Sequence, residues 1–183
     1  MAQRLYETAG VDGMSFRAIA AEYGCSSTMP YKYFDSKADL IDGLRVRSYE
    51  WLRGVLVAEA SEADQPVAAL QLLAKAYVRA ALDRPLMYEL LYSDTGAMPE
   101  TEPALFGAKR AALDVCKRVI AAAADAEEIE LRGDPETAAH LFWAGAHGLV
   151  SLELGGFLVM GRSIDDLLDP LITTLIQGLK VPS

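Results

Sequence analysis

Apolar residues recur at three- and four-residue spacing along most of the chain, and no stretch alternates apolar with polar for long. That period is helical. A short helix is predicted from Phe16 to Tyr23, capped by Ser15, with Phe16, Ile19 and Ala20 on its inner face and Gly24 ending it. Ser26 or Ser27 should cap a second short helix reaching about Tyr33, with Pro30 near its first turn, where a missing N–H costs little. Ser36 reads as the cap of a long helix that carries Leu40, Ile41, Leu44, Trp51, Leu52 and Val55 and persists to about Ala60. Pro66 opens a helix to about Arg84, Pro85 one to about Ser93, and Pro103 one to about Glu128. Asp134-Pro135 opens a helix to about Met160, and Ser163 starts the last one. Residues 94–101 are the clearest loop, and no internal repeat is visible. The pattern is all-α.

Composition narrows the class. The 183 residues are 52 % hydrophobic, enough to bury a real core, so disorder is not expected. Two cysteines, Cys25 and Cys116, stand far apart without a partner motif, which fits a reducing cytoplasm and excludes a disulfide scaffold. Residues 1–14 lack the continuous apolar core of a secretory signal. The longest charge-free stretch, Thr137 to Leu152, is shorter than the roughly 20 residues of a membrane span and holds two histidines. A buried helix of a cytoplasmic protein is the better reading, with no membrane partner.

The net charge of −9 is unevenly placed. Residues 1–50 hold six Lys/Arg against seven Asp/Glu, a net of −1. Residues 51–183 hold eleven against nineteen, a net of −8. Within Ser15–Lys37 three basic residues face two acidic ones. Bulk charge therefore neither demands nor excludes DNA; charge on one face decides.

Two short capped helices joined by Gly24-Cys25-Ser26 make a helix-turn-helix pattern. Ala20 is small enough to let the second helix cross closely. The second helix offers Ser27, Thr28 and Lys32, with Tyr31 and Tyr33 beside them, and such groups suit base edges and phosphates. Lys37 lies in the first turn of the next helix, where its charge opposes the helix dipole and a nearby phosphate would offset it.

Ser15-Phe-Arg-Ala-Ile-Ala, Tyr23-Gly-Cys-Ser and Tyr31-Lys-Tyr-Phe-Asp-Ser-Lys37 with Leu40 resemble the DNA-binding domain of the tetracycline-repressor (TetR) family. The resemblance in motif covers residues 1–44. It implies that Tyr31 and Lys37 clamp phosphates, that Arg17, Ser27, Thr28 and Lys32 meet bases or phosphates, and that Phe34 closes the domain core. With the caps Ser15 and Ser26 and with Tyr33, these residues form the expected DNA-binding set. Family members carry a longer first helix with a basic arm, whereas only Met1 to Ala9 precede Gly10 here.

The resemblance also implies that residues 45–183 bind a small effector and dimerise. The residues support both independently. The helix from 135 is apolar on most faces, and the last helix carries a stripe from Ile164 to Leu179 too wide for one partner, which a second subunit would cover. Gly145, Gly148 and Gly155 are small enough for close helix approach. Trp143-Ala-Gly-Ala-His147-Gly148 resembles a signature of one subgroup with a Trp-His-Gly type C-terminal domain. Candidate effector contacts are Met87, Tyr88, Leu91, Tyr92, Phe106, Cys116, Trp143 and His147, and their low charge favours an apolar or weakly polar effector. The opposing reading of Trp143 and His147 is a core tryptophan beside a hydrogen-bonded histidine.

The expected function is thus a DNA-binding regulator, by family default a repressor acting as a dimer on a palindromic operator. A helical small-molecule binder without DNA-binding activity is the alternative. Catalysis, a metal and a cofactor are not expected. No HExxH, P-loop or nucleophile-elbow motif occurs. Glu136 and His140 stand one helical turn apart, but His140 and His147 are about 10 Å apart along the axis, too far to share an ion.

Overall fold

Residues 6, 10, 13–93, 102–131 and 133–179 are described by a computed structural model. Among them are seven α-helices, one 3-10 turn and no β-strand. The helices are α1 (Phe16–Tyr23), α2 (Lys37–Ala60), α3 (Pro66–Asp83), α4 (Pro85–Tyr92), α5 (Pro103–Asp125), α6 (Pro135–Leu154) and α7 (Ile164–Leu179), with the 3-10 turn at Pro30–Lys32. The all-α reading holds. The loop expected at 94–101 lies outside the described residues.

Local chemistry sets most boundaries. Ser15 Oγ accepts from the Ala18 N–H at 3.1 Å, and Gly24 takes the left-handed φ of 64° that closes α1. There Cys25 N–H bonds the Ala20 carbonyl and Gly24 N–H that of Ala21, so two orphan carbonyls are satisfied. Ser36 Oγ accepts from the Asp39 N–H, while the Asp39 carboxylate accepts from the Asp35 N–H, which fixes the entry into α2. Asp134 and Ser163 cap α6 and α7 in the same manner.

Two expected helices are shorter in the structure. The helix from Pro135 stops at Leu154 instead of near Met160. Gly156 adopts φ 66°, Phe157 N–H bonds the Leu152 carbonyl at 2.8 Å, and Gly156 N–H bonds that of Glu153. This closes the helix one glycine pair earlier than the pattern of apolar residues indicates. The second short helix is reduced to the 3-10 turn Pro30–Lys32. Few residues separate Ser26 from the cap Ser36, Pro30 has no N–H to donate, and the backbone closes bonds at three-residue spacing instead.

The described chain divides into two compact units, Met1–Glu50 with Leu86–Lys109, and Trp51–Pro85 with Arg110–Ser183. The core of the first is built from Tyr6, Met14, Ile19, Leu40, Ile41, Leu44 and Leu90, with Phe16, Phe34 and Leu86 packed against it. Leu86 and Leu90 stand one turn apart on α4, so α4 completes the core of α1 and the start of α2. In the same unit Asp42 and Arg45 form a buried pair at 2.8 Å.

In the second unit α3, α6 and α7 pack together. The face of α3 is rich in buried alanines, Ala69, Ala74, Ala76, Ala80 and Ala81, which permits close approach. Gly145 does the same on α6: a Cβ there would stand 2.9 Å from Leu175 Cδ1 of α7. The N-terminus of α3 has no cap of its own at Gln65; the Glu128 carboxylate accepts from the Val67 N–H at 2.8 Å.

Candidate nucleic-acid interface

The residues expected to meet DNA lie together on the first unit, and all are exposed. Ser15 and Arg17 start α1, and Ser26, Ser27, Thr28, Tyr31, Lys32 and Tyr33 line the turn. Lys37 is the first residue of α2. The turn is fixed by backbone bonds. Met29 N–H bonds the Ser26 carbonyl at 2.9 Å, Lys32 N–H that of Met29 at 3.1 Å, and Tyr33 N–H that of Pro30 at 3.0 Å. Pro30 is buried and anchors the turn to the core. The Ser26 and Thr28 hydroxyls are 3.1 Å apart and share a hydrogen bond.

Tyr31 is held in place by its neighbour. Its ring meets Phe16 edge-on at a centroid distance of 4.5 Å, while Phe16 itself packs on the core. Such a pair contributes about 0.5–1.5 kcal/mol beyond burial and fixes where the phenol points. Lys37 is exposed at the positive end of α2, where its charge opposes the helix dipole. Two features escaped the sequence reading. Met29 is 38 % exposed between polar neighbours. Tyr49 donates to the Leu91 carbonyl at 2.9 Å, and Arg45 Nη2 approaches the same oxygen at 3.5 Å. The Asp42-x-x-Arg45 spacing was the only available signal for that cluster.

The expected effector contacts divide between the units. Met87, Tyr88, Leu91, Tyr92 and Phe106 belong to the first. Met87, Tyr88 and Leu91 are buried, and the Tyr88 and Tyr92 rings lie 5.0 Å apart. Lys109 Nζ sits 4.6 Å above the Phe106 ring. Cys116, Trp143 and His147 belong to the second unit. Burial pushes the Cys116 thiol up to about 12, so it is a protonated, unreactive group at neutral pH. Trp143 Nε1 donates to the Tyr77 hydroxyl at 3.2 Å, and that hydroxyl lies 3.5 Å from His147 Nδ1. His147 Nε2 is 3.5 Å from Ser151 Oγ. Burial lowers the His147 pKa below the ordinary value of 6.5. Tyr77 joins Trp143 to His147 and was absent from the sequence-based set, because the link spans 66 residues of chain.

His140 Nδ1 donates to the Glu136 carbonyl of its own helix at 2.8 Å. Among the described residues no group of three or more His, Cys, Asp or Glu is placed to hold a metal ion. No described helix is long and apolar enough to cross a membrane.

Comparison with known proteins points the same way as the geometry. Residues 1–44 match the family model described as bacterial regulatory proteins, tetR family. Residues 70–175 match that of the tetracyclin repressor-like C-terminal domain, a segment that includes the Trp143–Gly148 run. No curated protein matches the chain in sequence. A solved structure of a protein with unknown function from Rhodococcus sp. RHA1 is 30 % identical, covers 98 % of this chain and 92 % of its own, and superposes with a TM-score of 0.86. A TetR family transcriptional regulator from Thermus thermophilus is 14 % identical over 98 % of this chain and 97 % of its own, with a TM-score of 0.69. The transcriptional regulator FadR from Bacillus subtilis, in complex with stearoyl-CoA, is 14 % identical over 97 % and 95 %, with a TM-score of 0.77. The last two likenesses bear on the fold alone.

Proposed function

We propose that this chain, which belongs to the tetracycline-repressor family of bacterial regulatory proteins, is a ligand-responsive repressor that binds a palindromic operator as a homodimer. In this reading residues 1–44 are the DNA-binding head and residues 45–183 bind the effector and dimerise. The observation that carries it is the exposed set from Ser26 to Lys37 on a turn whose backbone is locked by hydrogen bonds and anchored by buried Pro30. Hydroxyls, phenols and two lysines on a rigid mount are what phosphate positioning and base reading need.

Two features support the dimer. Leu141 and Leu152 on α6 are 60 % and 45 % exposed, and Gly148, seven residues from Leu141, falls on the same stripe of the helix. The effector is an apolar or weakly polar molecule. FadR, which shares the fold, is seen in complex with stearoyl-CoA, whose acyl chain is apolar, and the candidate contacts here are mostly apolar or aromatic. An effector releases or retains DNA only through its differential affinity for the two states, typically about 1–3 kcal/mol.

The test is fluorescence anisotropy of the full chain with duplex DNA from upstream of its own gene, over a series of salt concentrations. Saturable binding that weakens with salt is expected. Absence of binding even at low salt would overturn the reading in favour of a helical small-molecule carrier. Calorimetric titration of stearoyl-CoA, with and without the bound duplex, then tests the coupling. Equal affinity in both would remove that molecule as an effector.

A further inference from the structure

We propose that Met29 reads a thymine methyl group in the major groove, within two base steps of the base pair met by Lys32. The inference rests on the DNA-binding reading above and adds a specificity-determining residue to it. Its origin is the shape of the turn. Because Met29 N–H bonds Ser26 and Lys32 N–H bonds Met29, the segment closes at three residues per turn. Side chains three apart eclipse in that geometry, so Met29 and Lys32 leave the turn on the same side. Their separation along its axis is about 6 Å at about 2 Å per residue. Base pairs stack about 3.4 Å apart, which places the two contacts less than two steps from one another.

The neighbours of Met29 in the turn are either engaged with the core or polar. Pro30 is buried behind it, Tyr31 is engaged by Phe16, and Ser27 and Thr28 beside it are exposed hydroxyl residues. Met29 itself stands 38 % exposed, a flexible thioether presented on the face that carries Lys32. Phosphates and sugar offer it no matching chemistry. On the base edges of the major groove the apolar group is the C5-methyl of thymine, whereas a lysine finds its partners in guanine O6 and N7. The pairing predicts a half-site in which a thymine lies within two steps of a guanine.

The experiment starts from a random-core duplex library selected with the wild-type full chain. The recovered duplex is then titrated with each thymine replaced in turn by deoxyuridine, which removes only the methyl. One position per half-site is expected at which the replacement weakens wild-type binding about fourfold, the loss of one buried methyl group. Met29→Ala should bind the parent duplex more weakly and lose nothing further at that position. Met29→Leu should restore the dependence, and Lys32→Ala should keep it while losing the guanine. A thermal melt of Met29→Ala matching wild type shows that the exposed substitution leaves the fold intact. If deoxyuridine has no effect anywhere, or costs wild type and Met29→Ala alike at every position, Met29 does not read the methyl. If the wild-type chain enriches no sequence at all, it is the DNA-binding reading that fails, and this inference falls with it.

Discussion

The Tyr49 hydroxyl donates to the Leu91 carbonyl at 2.9 Å and so ties α2 to the last turn of α4. A helix end leaves its final carbonyls without partners, and this bond supplies one from a residue 42 positions away. Burial, with Tyr92 adding to it, holds the Tyr49 phenol well above its ordinary range, so the group remains a donor at any working pH. Tyr49→Phe should cost about 1 kcal/mol in chemical denaturation. It should also lessen the change in DNA affinity that an effector produces, since α4 carries four of the candidate effector contacts. An unchanged unfolding midpoint would show that Arg45 alone suffices at that carbonyl.

Among the described residues, three exposed basic ones, Arg17, Lys32 and Lys37, lie in the proposed head, hence six in the proposed dimer. Together these six should contribute a slope of roughly −5 to the fall of the logarithm of affinity with the logarithm of salt. Lys37→Ala should weaken binding equally on all sequences and flatten that slope by about 2, whereas Thr28→Ala and Lys32→Ala should also alter sequence preference. A change in preference with an intact slope for Lys37→Ala would reverse the roles assigned to these residues.

If α6 forms the proposed dimer contact, its exposed stripe separates interface residues from core residues. Leu175 fills the space left by Gly145 inside one chain, so Leu175→Glu should unfold the α6–α7 pair rather than merely dissociate a dimer. Leu141→Glu and Leu152→Glu change exposed positions and should give folded monomers. Light scattering with circular dichroism distinguishes the two outcomes. A wild-type monomer at micromolar concentration would end the dimer reading.

What the sequence revealed was whatever local chemistry specifies. Ser15 and Gly24, Ser36 and the Asp134-Pro135 pair mark helix ends through bonds within a few residues, Pro66 and Pro85 mark starts by having no N–H to leave unpaired, and each end falls where the pattern puts it. The exposed turn that carries the expected DNA contacts was legible because the spacing of its residues is itself the motif. Distant partnerships were not legible. Nothing near Gln65 announces that Glu128 will cap α3, and nothing in α4 announces that Leu90 completes a core built from Ile19 and Leu40. Gly155 and Gly156 did carry a stop signal, but the apolar residues after them masked it, and Phe157, Val159 and Met160 proved to be exposed.

Glu127 ends α5 with the same two-bond closure that Gly24 gives α1, but with a side chain in the left-handed region at φ 58°. Glu128 N–H bonds the Ala123 carbonyl at 2.9 Å and Glu127 N–H that of Ala124 at 3.0 Å. A residue with a Cβ pays about 1 kcal/mol there relative to glycine. Glu127→Gly should therefore raise stability by about that amount. No gain in unfolding midpoint would mean that the side chain makes a compensating interaction in the folded state.

His147 gives the second unit a dependence on pH that can be separated from its carboxylates. Burial lowers its folded pKa, so between that value and about 6.5 the unfolded chain binds a proton that the folded chain refuses. Stability should be level above neutrality and decline as pH falls below about 6.5, then level again once His147 is protonated in both states. Protonation also removes the acceptor at Nδ1 that the Tyr77 hydroxyl faces at 3.5 Å. Asp134 and Asp166 titrate elsewhere. Hydrogen bonds from Thr137 and from Ser163 lower their pKa values, so the stability they add is present above 3.8 and lost only as pH falls through their folded values. His147→Gln keeps a polar group beside Tyr77 but has no proton to take up. Its denaturation midpoint should be flat from neutrality to about pH 5, where the wild-type midpoint falls. Parallel curves for the two proteins in that window would show that His147 is solvated in the folded state and does not belong to the hydrogen-bonded chain from Trp143 through Tyr77.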